Sequence, residues 1–223
     1  MTDSSHTQKI IFAIIIVLVV LVVGIIIFWR SPETLYTKEN GQPANPAGTI
    51  DISPSALATY SSGRFGFSFA YPETLVVGKS EENTIGWRSD AVTSTGTIAT
   101  KIVIPKSFQP QTNFGEATFL VGFSAEPDAI TDCFKEDFTD VEVASMNVGG
   151  IPFRRFHYID AAAGNRYDIT SYRTVYSDRC YAVETVIHYA NIENYSPDQN
   201  ISEFNQAQVQ KVLDTMVTSF RFR

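Results

Sequence analysis

From Ile10 to Trp29 the chain runs through twenty apolar residues, with Gly24 the one glycine among them and no charge. At about 1.5 Å per residue such a helix spans roughly 30 Å, the hydrocarbon thickness of a bilayer. The pattern predicts a transmembrane helix over residues 10–29, preceded by a short tail, residues 1–9. A cleaved leader would have an apolar stretch of about 7–15 residues closing on small side chains. Here the run closes on Ile25-Ile26-Ile27-Phe28-Trp29-Arg30, so it reads as an uncleaved, single-pass signal-anchor.

Beyond Trp29 the apolar pattern disappears. Residues 30–59 contain Pro32, Pro43, Pro46 and Pro54, two glycines and one aromatic, Tyr36, a composition unable to form a core of its own. They read as a flexible, Pro-rich linker with a reach of roughly 30 Å as a random coil. From Tyr60 a two-residue period begins, with Phe65, Phe67, Phe69 and Tyr71 alternating with small or polar residues until Pro72. Further strands are expected at 97–104, 117–123, 141–148, 152–159, 166–176 and 180–189, joined by turn residues such as Gly149-Gly150 and Ser177-Asp178. Short consecutive connections argue for an antiparallel meander. Val209, Val212, Leu213, Met216 and Val217 then fall at helical spacing, which predicts an amphipathic helix starting from Ser202 as N-cap. A short helix is expected near Glu126–Lys135, introduced by Pro127. The fold class is therefore α+β: an N-terminal transmembrane helix, then, over residues 60–223, one antiparallel sheet with a packed C-terminal helix.

Composition sharpens this picture at two points. Of the 28 aromatic residues, 24 lie from Tyr60 onward, so the domain can fill a core and is not a disordered chain. The formal charge of -7, with no basic cluster, opposes a nucleic-acid partner. For the anchor, the basic residues nearest its ends, Lys9 before it and Arg30 and Lys38 after it, lean weakly toward the C-terminal side inside, although long domains cross largely regardless of charge. The two cysteines suit an oxidising compartment and set the expectation: N-terminus inside, C-terminal domain outside the cell membrane.

The opening Tyr60-Ser-Ser-Gly-Arg-Phe-Gly-Phe-Ser-Phe-Ala-Tyr-Pro72 and the closing helix followed by Ser219-Phe220-Arg221-Phe222 resemble the two ends of Mog1/PsbP-like domains. The segments Asn113-Phe-Gly-Glu-Ala117 and Asp178-Arg-Cys-Tyr181 are also similar to parts of other membrane-anchored bacterial proteins of this build. The resemblance covers about residues 60–223. It implies an α/β/α or α+β sandwich with binding and assembly roles and carries no catalytic residue set.

Candidate chemistry is sparse. Cys133 and Cys180 are the two cysteines, and a disulfide between them is the expected use. The rival use is a Cys180 nucleophile, as in membrane-anchored transpeptidases of the sortase type, but Tyr176-Ser-Asp-Arg-Cys180 lacks their Thr-Leu-x-Thr-Cys signature. Such a thiol would need a base within reach. His188 would lie about 26 Å along the same strand, leaving His157. In Pro152-Phe-Arg-Arg-Phe-His-Tyr158, Arg154 and Arg155 point to opposite faces, whereas Arg155 and His157 share one and form a candidate ligand face, with Asp160 nearby. No His or Cys spacing suits a metal, and seven acids between Glu126 and Glu142 lack the glycine turn of a calcium loop. No phosphate loop or nucleophile elbow is present, so no cofactor is expected. The reading that results is a non-catalytic binding or assembly module of the cell envelope with an envelope protein as partner. The alternative is a surface enzyme of the thiol transpeptidase or hydrolase type built on Cys180 or on Arg155 and His157.

Overall fold

The computed structural model describes residues 56–90, 93–136 and 140–223. The expected tail, the Ile10–Trp29 anchor and most of the linker lie outside the described residues; among the described residues no helix is long and apolar enough to cross a membrane.

Among the described residues, ten strands and two α-helices follow in the order β1 (Leu57–Ser62), β2 (Phe67–Pro72), β3 (Glu81–Thr84), β4 (Gly96–Ile104), β5 (Phe114–Ser124), α1 (Pro127–Thr131), β6 (Glu142–Val148), β7 (Ile151–Ala162), β8 (Asn165–Tyr176), β9 (Arg179–Ala190), α2 (Gln206–Ser219) and β10 (Arg221–Phe222). The result is an α+β domain, as expected, but with two antiparallel sheets in place of one. A small sheet has the order β1-β2-β10 and a large one the order β3-β4-β5-β9-β8-β7-β6. The two-residue β10 belongs to the small sheet, where it pairs with β2, Arg221 opposite Ser68 and Phe222 opposite Phe67.

One face of the large sheet is covered by α2 and β2 together. The helix buries Val209, Val212, Leu213, Met216 and Val217, the apolar stripe set by its 3.6-residue period. Phe69 meets Phe119 of β5 at 4.8 Å between ring centroids, and Phe67 meets Phe220 at 5.3 Å. These aromatic pairs lie within the 4.5–7 Å range where ring geometry adds to area burial.

The boundaries differ from expectation for local reasons. The first strand of the described residues, Leu57–Ser62, begins ahead of the expected period at Tyr60, as an edge strand whose alternation is too polar to stand out. Phe65 is not in β2. It sits in the turn from Ser62 to Gly66, where Ser62 Oγ accepts from Phe65 N and Gly66 takes a φ of 70°. Helix α2 begins after Asn205, not Ser202. Ser202 is held extended beside Thr112 and Asn113, with Asn113 N donating to Ser202 O at 2.9 Å, so capping falls to Asn205, whose side chain accepts from Gln208 N.

Candidate functional site

The second face of the large sheet is crossed by two segments, and a pair of glycines lets the first one approach. A Cβ on Gly122 would overlap the Trp87 carbonyl oxygen, and one on Gly96 would overlap the Trp87 ring. Trp87 therefore lies flat on β4 and β5, in a small core with Ile98, Ala129, Ala182 and the two cysteines. The second segment, α1 and the residues after it, is stapled to β9 by the Cys133–Cys180 disulfide, both cysteines at 0% exposure. The expected bridge is present. No free thiol exists among the described residues, and Cys180 as a nucleophile is set aside because its sulfur is already bonded.

Where the crossing segments meet the sheet, four charged side chains are buried: Arg88, Asp90, Arg173 and Glu184. Arg88 Nε donates to Asp90 Oδ1 at 2.5 Å, and Arg173 Nη2 donates to Asp90 Oδ2 at 2.7 Å. The rest of the Arg173 fork donates to Ser171 Oγ and to the Lys135 carbonyl, and its plane lies 4.2 Å from the Phe156 ring centroid. Arg88 Nη1 reaches the Cys133 carbonyl at 3.3 Å. Glu184 Oε2 accepts from both the backbone and the hydroxyl of Ser89, at 2.8 and 2.6 Å. Two cations and two carboxylates thus tie residues 88–90 and 133–135 to β8 and β9. Burial pushes the Glu184 carboxyl above its ordinary value, against the stabilising Ser171 and Ser89 hydroxyls and Arg173. Burial, with the Glu184 and Asp90 charges, pushes Tyr158 upward as well. Arg173 and Glu184 are the more deeply buried, whereas Arg88 and Asp90 border a cleft of about 210 Å³ that Glu126, Asp128 and Asp132 also line. A single sequence signals the cluster only by charges at Arg173 and Glu184 inside otherwise apolar strands.

The candidate ligand face does assemble, with different partners. Arg155 and His157 lie on the helix side of β7, and Arg154 on the other side over the Phe134 and Phe156 rings. Asp160 falls on the Arg154 side by strand alternation and is not their partner. Glu142 of β6 and Asp168 of β8 take that role. Arg155 Nη1 meets Glu142 Oε1 at 3.1 Å, His157 Nδ1 lies 3.5 Å from Glu142 Oε2, and His157 Nε2 lies 2.9 Å from Asp168 Oδ1. Gln206, at the start of α2, donates to Asp168 Oδ2. The row β6–β7–β8–α2 is thereby laced together through its side chains, and both imidazole nitrogens already face carboxylates. His188 stands apart, stacked on Tyr167 at 4.7 Å and bonded to Asn165.

A groove of about 460 Å³ lies between residues 74–79 and β4, within the 300–1,000 Å³ range of ligand clefts. Leu75, Val76, Val103 and Pro105 supply its apolar wall, with Val76 83% exposed. Lys79, Lys101 and Glu81 supply its charged rim. Among the described residues no group of three or more His, Cys, Asp or Glu side chains is arranged to hold a metal ion. No family model matches this chain, and no curated protein matches it.

Proposed function

We propose that the chain is a membrane-anchored, extracytoplasmic module that binds or helps assemble a protein component of the cell envelope and carries out no reaction of its own. The Cys133–Cys180 disulfide carries this reading, because buried bridges of this kind persist in oxidising compartments and are rare in the cytosol. The Ile10–Trp29 run supports a single pass with the N-terminus inside. The antiparallel sheet with its closing helix supports the Mog1/PsbP-like reading. A binding role is further supported by how the reactive side chains are used: both cysteines are bridged, and His157 and Arg155 are engaged with Glu142 and Asp168. The binding surface in this reading is the apolar groove of Leu75, Val76 and Val103 rather than the Arg155 and His157 face.

Labelling of intact cells with a membrane-impermeant thiol reagent tests the reading. Cys133 and Cys180 are expected to react only after unfolding and reduction, and from outside. Reaction from the cytoplasmic side, or without reduction, overturns the placement. An activity of the purified chain that His157→Ala abolishes overturns the non-catalytic role.

A further inference from the structure

The two edges of the large sheet are built differently. Edge strand β3 is four residues long, carries Glu81 and Glu82, and is broken by a register shift against β4. These are the devices that keep an edge from pairing with another chain. Edge strand β6 is longer and unbroken, with a single charge, Glu142, at its first position. Its seven residues, Glu-Val-Ala-Ser-Met-Asn-Val, hold no Lys, Pro or Gly, and they pair with β7 from Glu142–His157 to Val148–Ile151 without a bulge. Among the described residues no backbone bond besides those to β7 reaches β6, and no second strand pairs with it. Val143 is 39% exposed beside it.

Charge decides which strand this edge fits. One end carries exposed Asp140, two positions before Glu142, whose carboxylate is held by Arg155. At the other end Gly149 packs against Arg221, whose Nη1 donates to the Thr218 and Phe220 carbonyls and meets no described carboxylate. An edge with opposite charges at its two ends is self-complementary when paired antiparallel. We infer that β6 pairs with β6 of a second copy of this chain about a two-fold axis at Ser145, joining two seven-stranded sheets into one. In this register Ser145 faces Ser145, Ala144 faces Met146 of the partner, and Glu142 faces Val148 of the partner, so no like charges oppose each other. Each copy's Asp140 end meets the other's Arg221 end. All even-numbered residues of β6 stay on one face, so both α2 helices lie on the same side of the joined sheet. The contact is isologous, as a two-fold requires.

The test uses the full chain in detergent micelles with the native bridge intact. Directly opposed residues in an antiparallel pair lie about 4.5–5.5 Å apart at Cα, which a disulfide spans. Ser145→Cys is therefore expected to give a crosslinked dimer on mild oxidation. Val143→Cys is expected to give none, since two copies of that residue would be four positions apart, roughly 13 Å. Arg221→Glu should lower the Ser145→Cys crosslinked fraction roughly threefold or more by replacing attraction with repulsion. Adding Asp140→Arg should restore it. Equal crosslinking of Val143→Cys, or a monomer in sedimentation with no Ser145→Cys dimer, overturns the inference. Crosslinking of Ser145→Cys to a different protein assigns the edge to that protein and also overturns it. None of these outcomes depends on which side of a membrane the domain occupies, so the inference and the proposed function stand or fall separately.

Discussion

Replacing Arg173 by Met keeps the length of the side chain and removes its charge from a site that is 1% exposed. Three hydrogen bonds disappear: those to Asp90, Ser171 and the Lys135 carbonyl. The Lys135 carbonyl loses this donor, and the cluster keeps one cation, Arg88, beside the two carboxyl groups of Asp90 and Glu184. Removing one partner from a buried, hydrogen-bonded ion cluster costs about 3–5 kcal/mol. In a domain of this size that lowers Tm by on the order of 10 °C. The pH dependence makes the reasoning specific. The folded pKa of Glu184 is raised, chiefly by burial, and Arg173 is among the groups holding it down. A raised folded pKa means that ionised Glu184 costs stability above that pKa, and the cost fades as pH falls toward the ordinary carboxylate range. Without Arg173 the cost grows, so the deficit of Arg173→Met should be largest at neutral pH and shrink in acid. Adding Glu184→Gln should recover part of it, with a coupling of about 1 kcal/mol or more in the double-mutant cycle. Urea unfolding followed by tryptophan fluorescence, with buried Trp87 beside the cluster, measures all three quantities. A loss under about 1 kcal/mol that does not vary with pH would refute the account of this face as an electrostatic tie.

Two other perturbations test the packing of the same face. Cys133→Ala combined with Cys180→Ala opens a loop with a sequence separation of 47 and should cost about 4 kcal/mol in the chain-entropy model, read as a shift in the urea midpoint. Gly122→Ala should cost about 1–3 kcal/mol, because its methyl group overlaps the Trp87 carbonyl oxygen and no flexible side chain can yield; Gly63→Ala, with open space around it, should change stability little in the same thermal melt.

Several parts of the architecture were legible in the chain. Alternation marked β7, β8 and β9 to within a few residues, since each has to present one apolar row to a core. The helix stripe from Val209 to Val217 was equally clear. With two cysteines in an aromatic-rich domain, the Cys133–Cys180 pairing was readable too. β1 and β3 were not, because short edge strands half open to water need no apolar period.

What the sequence by itself determined is the local periodicity, and with it the α+β class and the identity of the core-facing rows. Only the tertiary structure decided which charges meet. His157 sits opposite Glu142 and diagonal to Asp168 because of strand register, a relation no spacing within β7 encodes. Arg173 and Asp90 are separated by 83 positions and become partners only when the Trp87–Asp90 segment lies across Gly122. The two-residue β10, too short for any pattern, finds its partner β2 more than 140 positions earlier, in a sheet separate from the meander. Periodicity reports how one segment is buried, whereas charge pairing and strand order depend on which distant segments the shared core brings together, and that choice is made by the packing of the whole chain.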